Sequence, residues 1–123
     1  MKPYAFGVDL GGNAIKIGLF QTTGNLVEKW TIPTRLEDHG SHLLSDVVDA
    51  IRAKMEERSL TWDVVEGVGM GVPGLLDIEA GVSRFSSNFP QWEDVPVAAW
   101  LGERLRGPAR RVVESHALAI SRA

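Results

Sequence analysis

Asp9-Leu10-Gly11-Gly12-Asn13 is the first segment whose residue types can do chemistry. Two consecutive glycines let the main chain turn sharply and bring bare N–H groups against an anion. A carboxylate just before such a turn can hold a hydrated Mg2+ beside phosphate, and Lys16 adds a positive charge close by. The spacing is neither that of a Walker loop nor that of a dinucleotide fingerprint. A glycine-rich hairpin with no ligand uses the same residues, and residue type alone does not choose between the two.

Three further segments carry polar or special backbone chemistry. Gly69-Met70-Gly71-Val72-Pro73-Gly74 closes an apolar run and opens a loop, and ligands of open α/β sheets sit beyond the carboxyl ends of strands; a plain Pro-Gly reversal fits equally. Asn88 can both donate and accept, which suits a sugar hydroxyl, and Trp92 offers a flat apolar face for either a ligand or packing. His39 and His42 stand three apart at a helix start; a metal pair there lacks an evident third ligand, and a solvated helix end explains them as well. The chain has no cysteine, which excludes disulfides and thiolate metal sites.

The elements that must position these residues follow from periodicity. Residues 4–10 are short and apolar between Pro3 and Gly11, the pattern of a buried strand. In 14–20, Ile15, Ile17 and Leu19 alternate with Lys16 and Gly18, a period of two. Thr22 to Asn25 is turn chemistry, and 26–32 forms a third strand with Trp30 and Ile32 on one side. Three strands joined by tight turns predict an antiparallel meander. After a polar connection over 33–40, Leu43, Leu44, Val47, Val48, Ile51 and Met55 recur at spacings of three and four, one face of a helix. Ser41 is its expected N-cap, and Arg52, Lys54 and Arg58 suit its C-terminal dipole. A buried strand over 64–72 carries Gly67, Gly69 and Gly71, which predict close backbone approach. Residues 75–78 and 82–85 read as a hairpin, 86–94 as a loop, 97–105 as a short helix ending at Gly107-Pro108, 111–114 as a strand and 115–122 as a last helix. The order β-β-β-α-β, hairpin, α-β-α predicts a mixed sheet with helices on its faces.

Composition bounds the function. The 123 residues suffice for one domain and are 44% hydrophobic and 24% charged, with net charge −3. That balance offers no basic footprint for nucleic acid and little attraction to anionic membranes. No run approaches the roughly 18–20 apolar residues of a spanning helix. The opening Met1-Lys2-Pro3-Tyr4 lacks the apolar segment of a signal peptide, and a cytoplasmic location is expected.

Taken in order, these segments resemble the ROK family, and within it the bacterial ATP-dependent glucokinases. Gly7-Val8-Asp9-Leu10-Gly11-Gly12 looks like the family's first phosphate motif. Lys29-Trp30-Thr31-Ile32-Pro33-Thr34 is similar to the glucokinase third strand. Gly69 to Gly74, Gly81-Val82, Asn88 and Trp92 follow in matching order. The resemblance implies one lobe of an actin-like, ribonuclease-H-like fold, with residues 1–123 forming an N-terminal lobe that is truncated relative to the family. It implies ATP and Mg2+ as cofactors and a hexose, glucose foremost, as substrate. Asp9 would hold Mg2+ through water; Gly11, Gly12, Asn13 and Lys16 would face phosphate; Gly74, Asn88 and Glu114 would face sugar.

The departures matter as much. The family has Thr where Asn13 stands. Its run Glu-Asn-Asp-Ala-Asn-x-Ala, with Asp as general base, reads Glu114-Ser115-His116-Ala117-Leu118-Ala119. His116 therefore occupies the base position, where a displacement of about 1 Å costs on the order of 100-fold in rate, and it is expected not to act. The second phosphate motif, the adenosine-binding lobe and the family's Cys/His zinc loop are absent from the sequence, so no zinc is expected. The expectation is a glucokinase-like lobe of little or no activity by itself. The rival readings are a non-catalytic sugar- or phosphate-binding module that self-associates or docks on a full-length relative, and the sensor fragment of a ROK repressor. The kinase lineage requires the first two strands to pair and their connecting bend to keep main-chain amides free.

Overall fold

The computed structural model describes residues 2–72, 75–77, 82–85 and 92–105. Strands β1 (Tyr4–Leu10), β2 (Ala14–Gln21) and β3 (Leu26–Pro33) form the expected antiparallel meander, and β4 (Val65–Gly71) lies parallel to β1. The sheet order is β3-β2-β1-β4. A parallel return cannot be made by a tight turn, and the connection from β3 to β4 runs through helix α2 (His42–Glu57).

Period-two alternation sends Phe6, Val8 and Leu10 of β1 to the same face as their partners Leu19, Ile17 and Ile15 of β2. Val68 and Met70 of β4 join them in register. All are buried and merge with Leu43, Leu44, Val47, Val48, Ile51 and Met55 of α2 in one core cluster. The helical residues picked out by spacing are thus the ones that lose contact with water. Each such side chain, fully buried, contributes roughly 1.5–3 kcal/mol. Helix α3 (Val97–Leu105) adds Val97, Leu101 and Leu105 to the same cluster.

Two elements were not expected. The 33–40 connection contains a single helical turn, α1 (Glu37–Gly40). It winds directly into α2, and the Ser41 N–H donates to the Asp38 carbonyl. Ser41 therefore has right-handed helical backbone and makes no side-chain cap bond, because a capping hydroxyl needs extended backbone at that position. Of the loop expected over 86–94, residues 86–91 lie outside the described residues and 93–94 belong to a short strand, β7 (Glu93–Val95), which pairs with β6 (Val82–Phe85); β6 pairs in turn with β5 (Leu75–Asp77). The 75–85 hairpin thus becomes a three-stranded satellite sheet. The strand and helix expected over 111–122 lie outside the described residues.

Candidate functional site

The opposite face of the main sheet carries the candidate site. In register across it, Gly18, Gly7 and Gly69 make one row, and Lys16, Asp9 and Gly71 make the next, toward the carboxyl ends of β1 and β4. The Phe20 ring lies over Gly18, where a Cβ would come within 2.7 Å of it. Gly69 behaves otherwise than expected: a Cβ there would meet no atom within 4 Å, so its want of a side chain is not forced by packing. Gly7, Gly18 and Gly71 are buried, and Gly69 is half-buried.

Asp9 is partly buried, and burial raises its carboxyl above the ordinary value of 3.8, with the positive charge of Lys16 pulling it back. Desolvation penalises the ionised form and a neighbouring cation favours it; here desolvation is the larger effect. The acid sits one residue before the end of β1, directly across from Lys16 on β2.

The turn itself, residues 11–13, is organised from outside. The Gly11 N–H donates to the Ala14 carbonyl at 3.1 Å. A Cβ on residue 11 would stand 2.5 Å from that same oxygen, so glycine is required there. The Thr34 hydroxyl donates to the Gly11 carbonyl at 2.8 Å, and the Thr34 N–H donates to the Asn13 carbonyl at 3.2 Å. Among the described residues no acceptor meets the N–H groups of Gly12 and Asn13. The turn thus uses one amide in the hairpin and keeps two unpaired, and Asn13 is exposed.

Of the residues singled out in the sequence, Asp9, Gly11, Gly12, Asn13 and Lys16 come together at this one end of the sheet. Gly74, Asn88, Glu114 and His116 lie outside the described residues. Trp92 is buried, 6% exposed, with its indole beside Gly40 at the end of α1, so its surface is used in packing. The His42 Nε2 meets the Asp38 carboxylate at 2.9 Å on the surface, and among the described residues no cluster of three metal-ligating side chains occurs. No helix among them is long and apolar enough to cross a membrane. Thr34 is the residue the sequence reading missed. It was visible only as the last member of Lys29 to Thr34, and its contacts reach back more than twenty residues to the turn.

Comparisons with known proteins bear on this geometry. The ROK family profile matches residues 5–123. A glucokinase from Halalkalibacterium halodurans is 31% identical over 102 residues, covering 83% of this chain and 31% of the relative. An N-acetyl-D-glucosamine kinase from Salmonella arizonae is 31% identical over 118 residues, covering 96% of this chain and 37% of the relative. Among solved structures, the ROK hexokinase from Thermus thermophilus superposes with a TM-score of 0.74 at 30% identity, over 91% of this chain and 35% of that one. The chain therefore spans about a third of the length of these relatives.

Proposed function

The chain belongs to the ROK family, and from that premise we propose that its opening hairpin is the phosphate-gripping turn of an ATP-dependent hexose kinase, with glucose as the acceptor sugar. One observation carries the reading: the N–H groups of Gly12 and Asn13 have no acceptor among the described residues, at a strand end shared with Asp9 and Lys16.

In this reading the Gly12 and Asn13 amides bind and orient phosphate oxygens, where unpaired main-chain donors are worth most. Lys16 adds charge to hold the polyphosphate. The Asp9 carboxylate, partly withdrawn from water, would hold a hydrated Mg2+. When bound, that ion neutralises charge on the phosphate oxygens. The residue types fit such a group: an acid and a cation stand opposite each other on β1 and β2, at the strand end where the turn with two open amides begins.

Two sequence features argue that residues 1–123 alone turn over little or nothing. By resemblance, the general-base position holds His116, and the two sugar-facing Asn positions hold Ser115 and Leu118. We propose that the chain furnishes the first lobe of the two-lobed kinases, one side of the cleft. The test combines the chain with ATP, Mg2+ and glucose and follows glucose 6-phosphate. The expected rate is far below the roughly 1–100 s⁻¹ usual for kinases, and turnover within that range refutes the inactivity claim. Glucose and N-acetylglucosamine titrated in parallel decide the sugar: tighter binding of the acetylated sugar overturns the glucose assignment.

A further inference from the structure

We propose that Thr34 is a positioning residue for the phosphate turn: its hydroxyl fixes the Gly11–Gly12 peptide so that the Gly12 N–H, and not a carbonyl oxygen, is presented to an anion. The proposal rests on the reading of this turn as a phosphate site and says how the site is held in its binding form.

The argument begins with the peptide plane. A trans peptide is planar, and its C=O and the following N–H point in opposite directions. The carbonyl of Gly11 and the N–H of Gly12 belong to one such plane. Holding the Gly11 carbonyl on the Thr34 hydroxyl at 2.8 Å therefore aims the Gly12 N–H the opposite way, away from the end of β3. The Thr34 N–H anchors the other side of the turn by donating to the Asn13 carbonyl at 3.2 Å. Thr34 directly follows Pro33, the last residue of β3, which is paired with Ala14. Its position is thus set by the meander and not by the turn.

Without the hydroxyl, little would hold this plane. Glycine on both sides gives low barriers to rotation, and a rotated plane turns an electron-rich oxygen toward the anion. The Gly11 N–H bond to Ala14 restrains the preceding plane and not this one. A β-branched residue with a hydroxyl meets the need: the branch limits χ1, and the hydroxyl makes the bond. Valine keeps the shape and loses the bond; serine keeps the bond.

The experiment uses 15N-labelled full chain, wild type, Thr34→Val and Thr34→Ser, titrated with inorganic tripolyphosphate. The amide shifts of Gly12 and Asn13 and the backbone relaxation of Gly12 are followed, with thermal melting as a control on folding. Wild type and Thr34→Ser should show saturable shifts at Gly12 and Asn13. Thr34→Val should bind about fivefold more weakly, the equivalent of about 1 kcal/mol for one hydrogen bond. It should also show increased motion at Gly12 before any anion is added. Thr34→Val with wild-type affinity and wild-type relaxation overturns the role of Thr34 and leaves the phosphate turn standing. Absence of shifts in all three proteins overturns the phosphate reading, and the relaxation of Gly12 in Thr34→Val then still decides whether the hydroxyl holds the turn. Should Thr34→Val melt far below wild type, the same comparison between Thr34→Ser and Thr34→Ala decides.

Discussion

Asp9 carries a carboxylate that folding does not welcome. Burial raises its pKa above the ordinary 3.8, and Lys16 only partly restores it. A folded-state value above the unfolded one means that the native protein binds the proton more tightly. The ionised carboxylate therefore subtracts from stability at neutral pH. The penalty shrinks as pH falls through the raised value and is gone below the ordinary one. Asp9→Asn, which keeps the shape without the charge, is expected to melt higher than wild type at pH 7. The two curves should converge near about pH 3, where both side chains are neutral. The same variant should weaken the Mg2+-dependent response of Gly12 and Asn13 to tripolyphosphate. A lower melting temperature for Asp9→Asn at pH 7 would mean that Lys16 outweighs burial. A group that weakens the fold beside amides left open is what a working site looks like. This pairing of Asp9 with the glycines was readable from the chain because all lie within five residues. Thr34 was not, because its partners are set by the β2–β3 pairing and not by local spacing.

Helix α2 shows how far periodicity reaches and where it stops. Its buried face was legible from the three- and four-residue spacing of six apolar side chains. The meander was legible from alternation, since one face of each strand is buried. Turn α1 and strand β7 were not, because each is too short for a period to register, and each includes a non-glycine residue at positive φ, Asp38 at 55° and Asp94 at 50°. The C-terminus of α2 has the same irregularity. The Ser59 N–H donates to the Glu56 carbonyl and the Leu60 N–H to the Met55 carbonyl, the paired bonds of a Schellman ending. That ending calls for a left-handed residue, and Ser59 takes it with φ of 55°. Glycine is the usual occupant because a Cβ in this conformation costs about 1–2 kcal/mol. Part of that gain is lost to the greater freedom of unfolded glycine. Ser59→Gly is therefore expected to stabilise the chain by roughly 0.5–1 kcal/mol, seen as a higher denaturation midpoint in urea. Ser59→Ala, which keeps the Cβ, should give no such gain; equal stabilisation by both would remove the backbone explanation.

At the scale of the molecule, ion pairs fasten α2 near its start to the connection that follows β3 and near its end to β3 itself. Near its start, Arg35 grips Asp46 through two bonds of 2.6 and 2.8 Å. Near its end, Lys54 and Arg58 converge on Glu28 of β3, at 2.7 and 2.8 Å, with the Lys54 ammonium also 4.7 Å from the Trp30 ring centroid. These pairs tie down the longer of the two helices between β3 and β4, so they brace the crossover over the core. Hydrogen bonds from Lys54 and then Arg58 hold the Glu28 carboxyl below its ordinary 4.5, and the hydrogen bond from Arg35 holds Asp46 below 3.8. The sign is opposite to that of Asp9. A lowered folded-state value means the ionised form is favoured in the native protein, so these groups add stability above the ordinary carboxylate range. That contribution is lost as pH falls through their lowered values. Both carboxylates keep contact with water, so the contribution is screened by salt. Melting temperature followed from pH 7 downward should therefore fall through the acid range. The double variant Glu28→Gln/Asp46→Asn should start lower at pH 7 and show a shallower fall. Adding Asp9→Asn to it should steepen the remaining acid loss, because Asp9, unlike Glu28 and Asp46, gains on protonation. At 1 M salt, where screening acts over about 3 Å, wild type and the double variant should draw together at pH 7. An acid limb of equal depth in wild type and double variant would place the pH dependence elsewhere and leave the two contacts as fastenings of shape alone.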